Sequence, residues 1–128
     1  MISECRARIK NWIEQTCAPA GVYYDYVPLH ADNSVLISFV ITDIAETRTL
    51  DMSRTLLEIS VKITVSSRNR SDVDEAIDRL TDMQFDPEDG IKNIFYDSFR
   101  DIEYEPDTDY FYSSLLNLHM NMDLDYEQ

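Results

Sequence analysis

Glycine is nearly missing from this chain: only Gly21 and Gly90 occur in 128 residues. Phosphate-cradling loops and dinucleotide fingerprints need several clustered glycines, because backbone must approach phosphate with no Cβ in the way, so both are excluded. Cysteine is scarce too. Cys5 and Cys17 form no CxxC pair and have no histidine nearby, which argues against zinc and for free thiols in a reducing compartment. Long apolar runs are absent: Glu4, Arg6, Arg8 and Lys10 stand where a signal peptide would be apolar, and no stretch approaches the roughly 18 residues of a membrane span. The expectation is a soluble protein made in a cytoplasm, with no membrane partner.

Basic residues are what the second half lacks. Residues 1 to 71 carry eight acids and eight bases, whereas 72 to 128 carry seventeen acids and only Arg79, Lys92 and Arg100. The whole formal charge of −14 therefore originates in the second half. A surface of that sign repels phosphate backbones and anionic lipid, which disfavours conventional nucleic-acid binding and leaves a basic partner or a DNA-avoiding role. Apolar residues at 44% and charged ones at 28% are ordinary globular values. The length suits one domain, residues 1–128, with a single core.

What is present is pattern. Ile2, Cys5, Ile9, Trp12, Ile13 and Thr16 recur at three- and four-residue steps, which predicts an amphipathic helix over 3–16 with Ser3 as N-cap, stopped by Pro19 and Gly21. Val22 to Val27 is aromatic and β-branched and reads as a short strand ending at Pro28. In 34–43, Val35, Ile37, Phe39 and Ile41 share one face, and in 56–65 the odd positions Leu57, Ile59, Val61, Ile63 and Val65 are all apolar. Both are strands by period two. Between them, Ile44 to Arg54 is polar and too long for a tight turn, so it reads as an arm or ordered loop that orders against a neighbouring subunit. Ser71 is the expected cap of a second helix, whose stripe is Val73, Ala76, Ile77, Leu80 and Met83. Residues 91 to 98 fit a helical turn or a strand equally well, and Phe99, Ile102 and Tyr104 suggest a fourth strand. Residues 110 to 124 alternate throughout, and at ~3.4 Å per residue such a strand would run about 50 Å, so it should bend or project. The expected class is α+β: an antiparallel sheet with two main helices on one face, in the order α-β-β-β-α-β-β, with a long hairpin arm. The apolar faces of the second and third strands should pack against Ile9, Trp12, Ile13, Ile77 and Leu80.

Chemistry-bearing residues make no case for an enzyme. His119 falls on the polar face of its strand and reads as solvated, and Ser66 and Ser67 have no histidine or glycine-bearing elbow. Asp101, Glu103, Glu105, Asp107 and Asp109 are spaced by two and would share a face, which raises calcium. The run lacks the glycine of a calcium loop and Pro106 bends it, so it reads as a solvated acidic face. No cofactor or metal is expected.

Tyr23-Tyr24-Asp25 with Pro28, the alternating pair 34 to 65, the helix Asp72 to Leu80, and an ending of Tyr104, Asp107, Asp109, Tyr112-Ser113-Ser114 and Asp125-Tyr126-Glu127 together carry a family likeness. In this order of elements the chain resembles the tail terminator (tail completion) proteins of long-tailed bacteriophages, of the phage lambda type. The resemblance implies a non-enzymatic virion protein: a homo-oligomer, hexameric by analogy, that binds the major tail-tube protein, ends tube growth and meets a head-completion or neck protein. Its place would be the head–tail junction, assembled in the bacterial cytoplasm, with genomic DNA passing through without specific binding. On this reading Ile44, Glu46, Arg48, Leu50, Asp51, Met52 and Arg54 form the arm that meets a subunit or the tube, and Asp101 to Asp109 line the channel or its rim. The alternative left open by the charge is a small acidic DNA mimic or regulator that occupies a basic partner.

Overall fold

The computed structural model describes residues 1–25, 34–48, 55–82, 90–104, 106 and 112–124. Two helices, α1 (Ile2–Cys17) and α2 (Arg70–Thr81), lie against a five-stranded sheet of β1 (Gly21–Tyr24), β2 (Val35–Arg48), β3 (Thr55–Ser67), β4 (Ile91–Tyr104) and β5 (Tyr112–Asp123). The chain order is the expected α-β-β-β-α-β-β, and the spatial order is β1-β2-β3-β5-β4. Three of the four strand pairs are antiparallel, but β1 runs parallel to β2, so the sheet is mixed. The parallel pair arises because β1 returns from α1 into the same direction that β2 then takes, with Asp25 at φ 73° ending β1 and its N–H donating to the carbonyl of Phe39.

The core forms where the two periods meet. Cys5, Ile9, Trp12, Ile13 and Cys17 of α1 and Val73, Ala76, Ile77 and Leu80 of α2 are buried against Leu57, Ile59, Val61, Ile63 and Val65 of β3, and Leu116, Leu118, Met120 and Met122 of β5. Ile37 and Phe39 of β2 join them, as their spacing predicts. Each such aliphatic side chain contributes roughly 1.5–3 kcal/mol relative to exposure. Arg8 ties α1 to the end of β5, donating to the carbonyls of Asp123 at 2.9 Å and Leu124 at 3.2 Å while pairing with Glu4 at 2.6 Å.

Four local expectations are corrected. Ser3 lies inside α1, which starts at Ile2 behind Met1. Ser71 lies inside α2, whose N-cap is Asn69; the entry is held by Ser67, whose hydroxyl donates to the Ser34 carbonyl at 3.0 Å and accepts from the Asn69 N–H at 3.2 Å. Ile44 to Arg48 are strand and not loop: they pair with Ile59 to Thr55, rung by rung. The alternation breaks at Thr42 because a bulge between Ile41 and Asp43 inserts one residue, and this moves the inward face from odd to even positions so that Ile44 meets Ile59. Finally, the described part of the last strand, Tyr112 to Asp123, stays paired within the sheet and does not project from it. β5 is the fourth strand of the sheet, paired with β3 from Tyr112 to Asp123 and with β4 on its other side. Since Asp123 pairs with Leu56, the β2–β3 hairpin is flanked almost to its last described rung. Leu50, Asp51, Met52 and Arg54 of the expected arm, Met83 of the α2 stripe and Tyr26 and Val27 of the first strand lie outside the described residues.

Candidate functional site

β4 is the strand whose sequence looks least like one, and its geometry explains why. Register shifts fall between Lys92 and Phe95, between Tyr96 and Ser98, and between Arg100 and Glu103. Asn93, at φ 51°, takes the left-handed conformation that the first shift needs, which asparagine tolerates better than most residues. Each inserted residue resets the alternation. Ile91, Ile94, Tyr96, Phe99, Ile102 and Tyr104, spaced by two and three, consequently share the helix-side face of one strand. That spacing mimics a helix, which is why residues 91 to 98 are ambiguous by pattern.

The first two of these residues are buried and the later ones are not. Ile91 and Ile94 reach the core, whereas Tyr96 is 48% exposed, Phe99 38% and Tyr104 60%. The helices stop short of this edge: α2 packs mainly over β3 and β5 and only marginally on β4. Tyr104 and Tyr112 set their rings 5.4 Å apart at the top of the same edge. With Phe95 on the opposite face, β4 supplies four of the six large apolar side chains exposed among the described residues. Single exposed apolar residues are normal, but a contiguous row on an edge strand marks a contact surface.

On the helix-free face, His119 of β5 is not merely solvated. Its Nδ1 lies 2.6 Å from Asp97 Oδ1, and its ring stacks on Phe95 with centroids 4.7 Å apart and planes at 21°. Asn117 donates to the Ser98 hydroxyl at 2.9 Å beside it. These contacts pin the bulged segment of β4 onto β5, so the edge is fixed in shape before it meets anything. Asp101 and Glu103, the described members of the acidic run, stand exposed along β4, with Glu103 3.5 Å from Arg100. Glu105, Asp107 and Asp109 lie outside the described residues, so the full run is not brought together on the described sheet. Among the described residues no group of three or more His, Cys, Asp or Glu side chains gathers as a metal site, and no helix is long and apolar enough to cross a membrane.

The opposite edge has a different character. β1 covers only Leu36 to Phe39 of β2. Beside it runs the α1 row Arg6, Lys10 and Glu14: the Arg6 guanidinium sits 4.3 Å from the centre of the Tyr24 ring, and Lys10 lies 3.6 Å from Glu14. Lys10, Val22, Tyr23 and Tyr24 line a depression of about 180 Å³. A second cavity, of about 140 Å³, lies where Cys17–Ala20 meets α2, and Arg79 closes it by donating to the Ala18 carbonyl at 3.2 Å. Ile44 and Glu46, from the expected arm, stand on β2 opposite Ile59 and Leu57, far along the sheet from β1.

No family model matches the chain, and no curated protein matches it. Among solved structures it is similar to a chain of the virion of a native gene transfer agent (GTA) particle, at 13% identity and a TM-score of 0.49, over 95% of this chain and 89% of that one. Likeness at that level bears no weight on function.

Proposed function

We propose that this chain is a structural subunit of a phage-type virion, a protein that assembles copy on copy into a ring at the head-proximal end of the tail. There it ends tail-tube polymerisation and offers its other side to the neck. The observation that carries the reading is the aromatic row of β4, fixed in shape by the His119–Asp97 contact and left uncovered by both helices. Water-exposed aromatic surface on a rigid edge costs solubility in a protein that works alone, and a subunit that buries it in an assembly recovers that cost. The resemblance of the chain to tail terminator proteins in its order of elements suggests the particular role, and the proposed partners follow from it: further copies of the chain, the tail-tube protein and a neck protein.

The one-sided charge agrees with a conduit. Duplex DNA carries one negative charge per roughly 1.7 Å, and a basic lumen would retain it. Negative-stain electron microscopy of the purified chain, alone and with tail tubes from the phage that encodes it, tests the proposal. Rings and capped tube ends are expected. A monomer that leaves tube ends bare and displaces DNA from a basic protein would overturn it in favour of a DNA mimic.

A further inference from the structure

Two helices do not cover a sheet of this width. Neighbouring strands lie about 4.8 Å apart and packed helices about 8–10 Å apart, so one helix shields roughly two strands. α2 lies over β3 and β5, which puts the next position in the helix layer above β4, and no described helix takes it. The floor of that position is the row Tyr96, Phe99, Ile102 and Tyr104. Its wall is the flank of α2 turned away from α1. Arg79 donates to the Ala18 carbonyl at the end of α1, which directs the Arg79 side of α2 toward α1 and turns Asp74, Asp78 and Asp82, one helical turn apart, away from it. None of these three acids forms an ion pair among the described residues. Like charges four residues apart repel along a helix, and Asp78 and Asp82 stand at the C-terminal end, where the helix dipole also disfavours an acid. Arg70 opens the same flank with one positive charge and leaves it net acidic. Basic side chains of a partner would neutralise what α2 carries unpaired.

We infer that a basic amphipathic helix of a protein other than this chain packs beside α2 over β4, its apolar stripe on the Tyr96–Tyr104 row and its lysine or arginine flank against Asp74 and Asp78. The inference rests on the assembly reading above and names the kind of partner that covers the row. A strand could not extend the sheet here in an unbroken ladder, because the register shifts of β4 interrupt the backbone groups that it would need, whereas a helix satisfies its backbone internally. A second copy has no described helix to offer: the apolar stripes of α1 and α2 are buried on their own sheet, and its charge has the same sign. At about 3.3 Å per residue the row is roughly 25 Å long, which a helix of about 16 residues matches.

The test uses the full chain and two fluorescein-labelled peptides of about 16 residues made only of leucine and lysine, one with its leucines on a single helical face and the other a scramble of the same composition. By fluorescence anisotropy the amphipathic peptide should bind about tenfold or more tightly than the scramble, and Tyr96→Ser with Phe99→Ser should cancel that difference. Asp74→Asn with Asp78→Asn should weaken the amphipathic peptide several-fold and flatten the salt dependence of its binding. All four side chains are exposed, so thermal unfolding of both variants should stay close to that of the unmodified chain. Equal binding of the two peptides, or undiminished binding by either variant, would overturn the inference. So would self-association, seen by sedimentation velocity, that disappears with Tyr96→Ser and Phe99→Ser, since a second copy would then cover the row. An unmodified chain that forms no rings would instead count against the proposed function and leave this contact standing.

Discussion

Cys17 sits beneath α2 with its Sγ 3.7 Å from the Ala76 carbonyl, and burial pushes its thiol up to about 11, a shift that the nearby Arg79 charge only partly opposes. Burial raises Cys5 as well. A thiol held in its neutral form is a poor nucleophile, so neither cysteine should react with an aromatic disulfide reagent at pH 8 until the chain unfolds, when both should titrate. Reaction of Cys17 in the folded protein would contradict the packing of α1 on α2. The same shift carries a stability consequence. Below the ordinary thiol value of about 9 both the folded and the unfolded chain keep the proton and stability is unaffected; from there to about 11 only the unfolded chain loses it, so stability should fall as pH rises through that window. A Cys17→Ser variant, compared by denaturant unfolding at pH 8 and pH 10.5, should show a smaller alkaline loss than the unmodified chain.

Among the elements, α1, α2 and β3 are legible in the sequence because one period runs through each without interruption. β2 and β4 are legible only in part, over 34–43 and at Phe99, Ile102 and Tyr104, because bulges shift the phase of the inward face partway along. In β2 a single bulge makes Ile44 to Arg48 look like the start of a polar loop. In β4 three shifts turn one face into the two-and-three spacing of Ile91, Ile94, Tyr96, Phe99, Ile102 and Tyr104. The aromatic row was therefore hidden in plain sequence, while the acidic residues beside it were easy to see. Ile44→Asp separates the two readings of β2. Facing Ile59 across the rung, the carboxylate should destabilise the chain by about 1–3 kcal/mol, whereas in a solvated loop it would change stability by less than about 0.5 kcal/mol. Urea unfolding decides between them.

For the whole molecule, the expected fold class holds, with the correction that β1 joins in parallel and that the final strand is internal. The exposed aromatic row was less legible, since no residue type announces an edge: it emerges only when sheet order places β4 at the outside and leaves it beyond the helices. Charge is the remaining property of this scale. If Asp101 and Glu103 line a channel, the double change Asp101→Lys with Glu103→Lys should still give rings, and those rings should retain duplex DNA in a filter assay at low salt and release it as salt shortens the Debye length from about 10 Å at 0.1 M. Rings that ignore DNA would place the two acids on the outer rim. The most direct test of the central claim is tube growth itself. Tail-tube protein encoded beside this chain is polymerised with and without the purified chain, and tube lengths are measured by electron microscopy. Growth should stop on addition, with a ring of this chain at each finished end; tubes that grow to the same length, with the chain left monomeric in solution, would contradict the account.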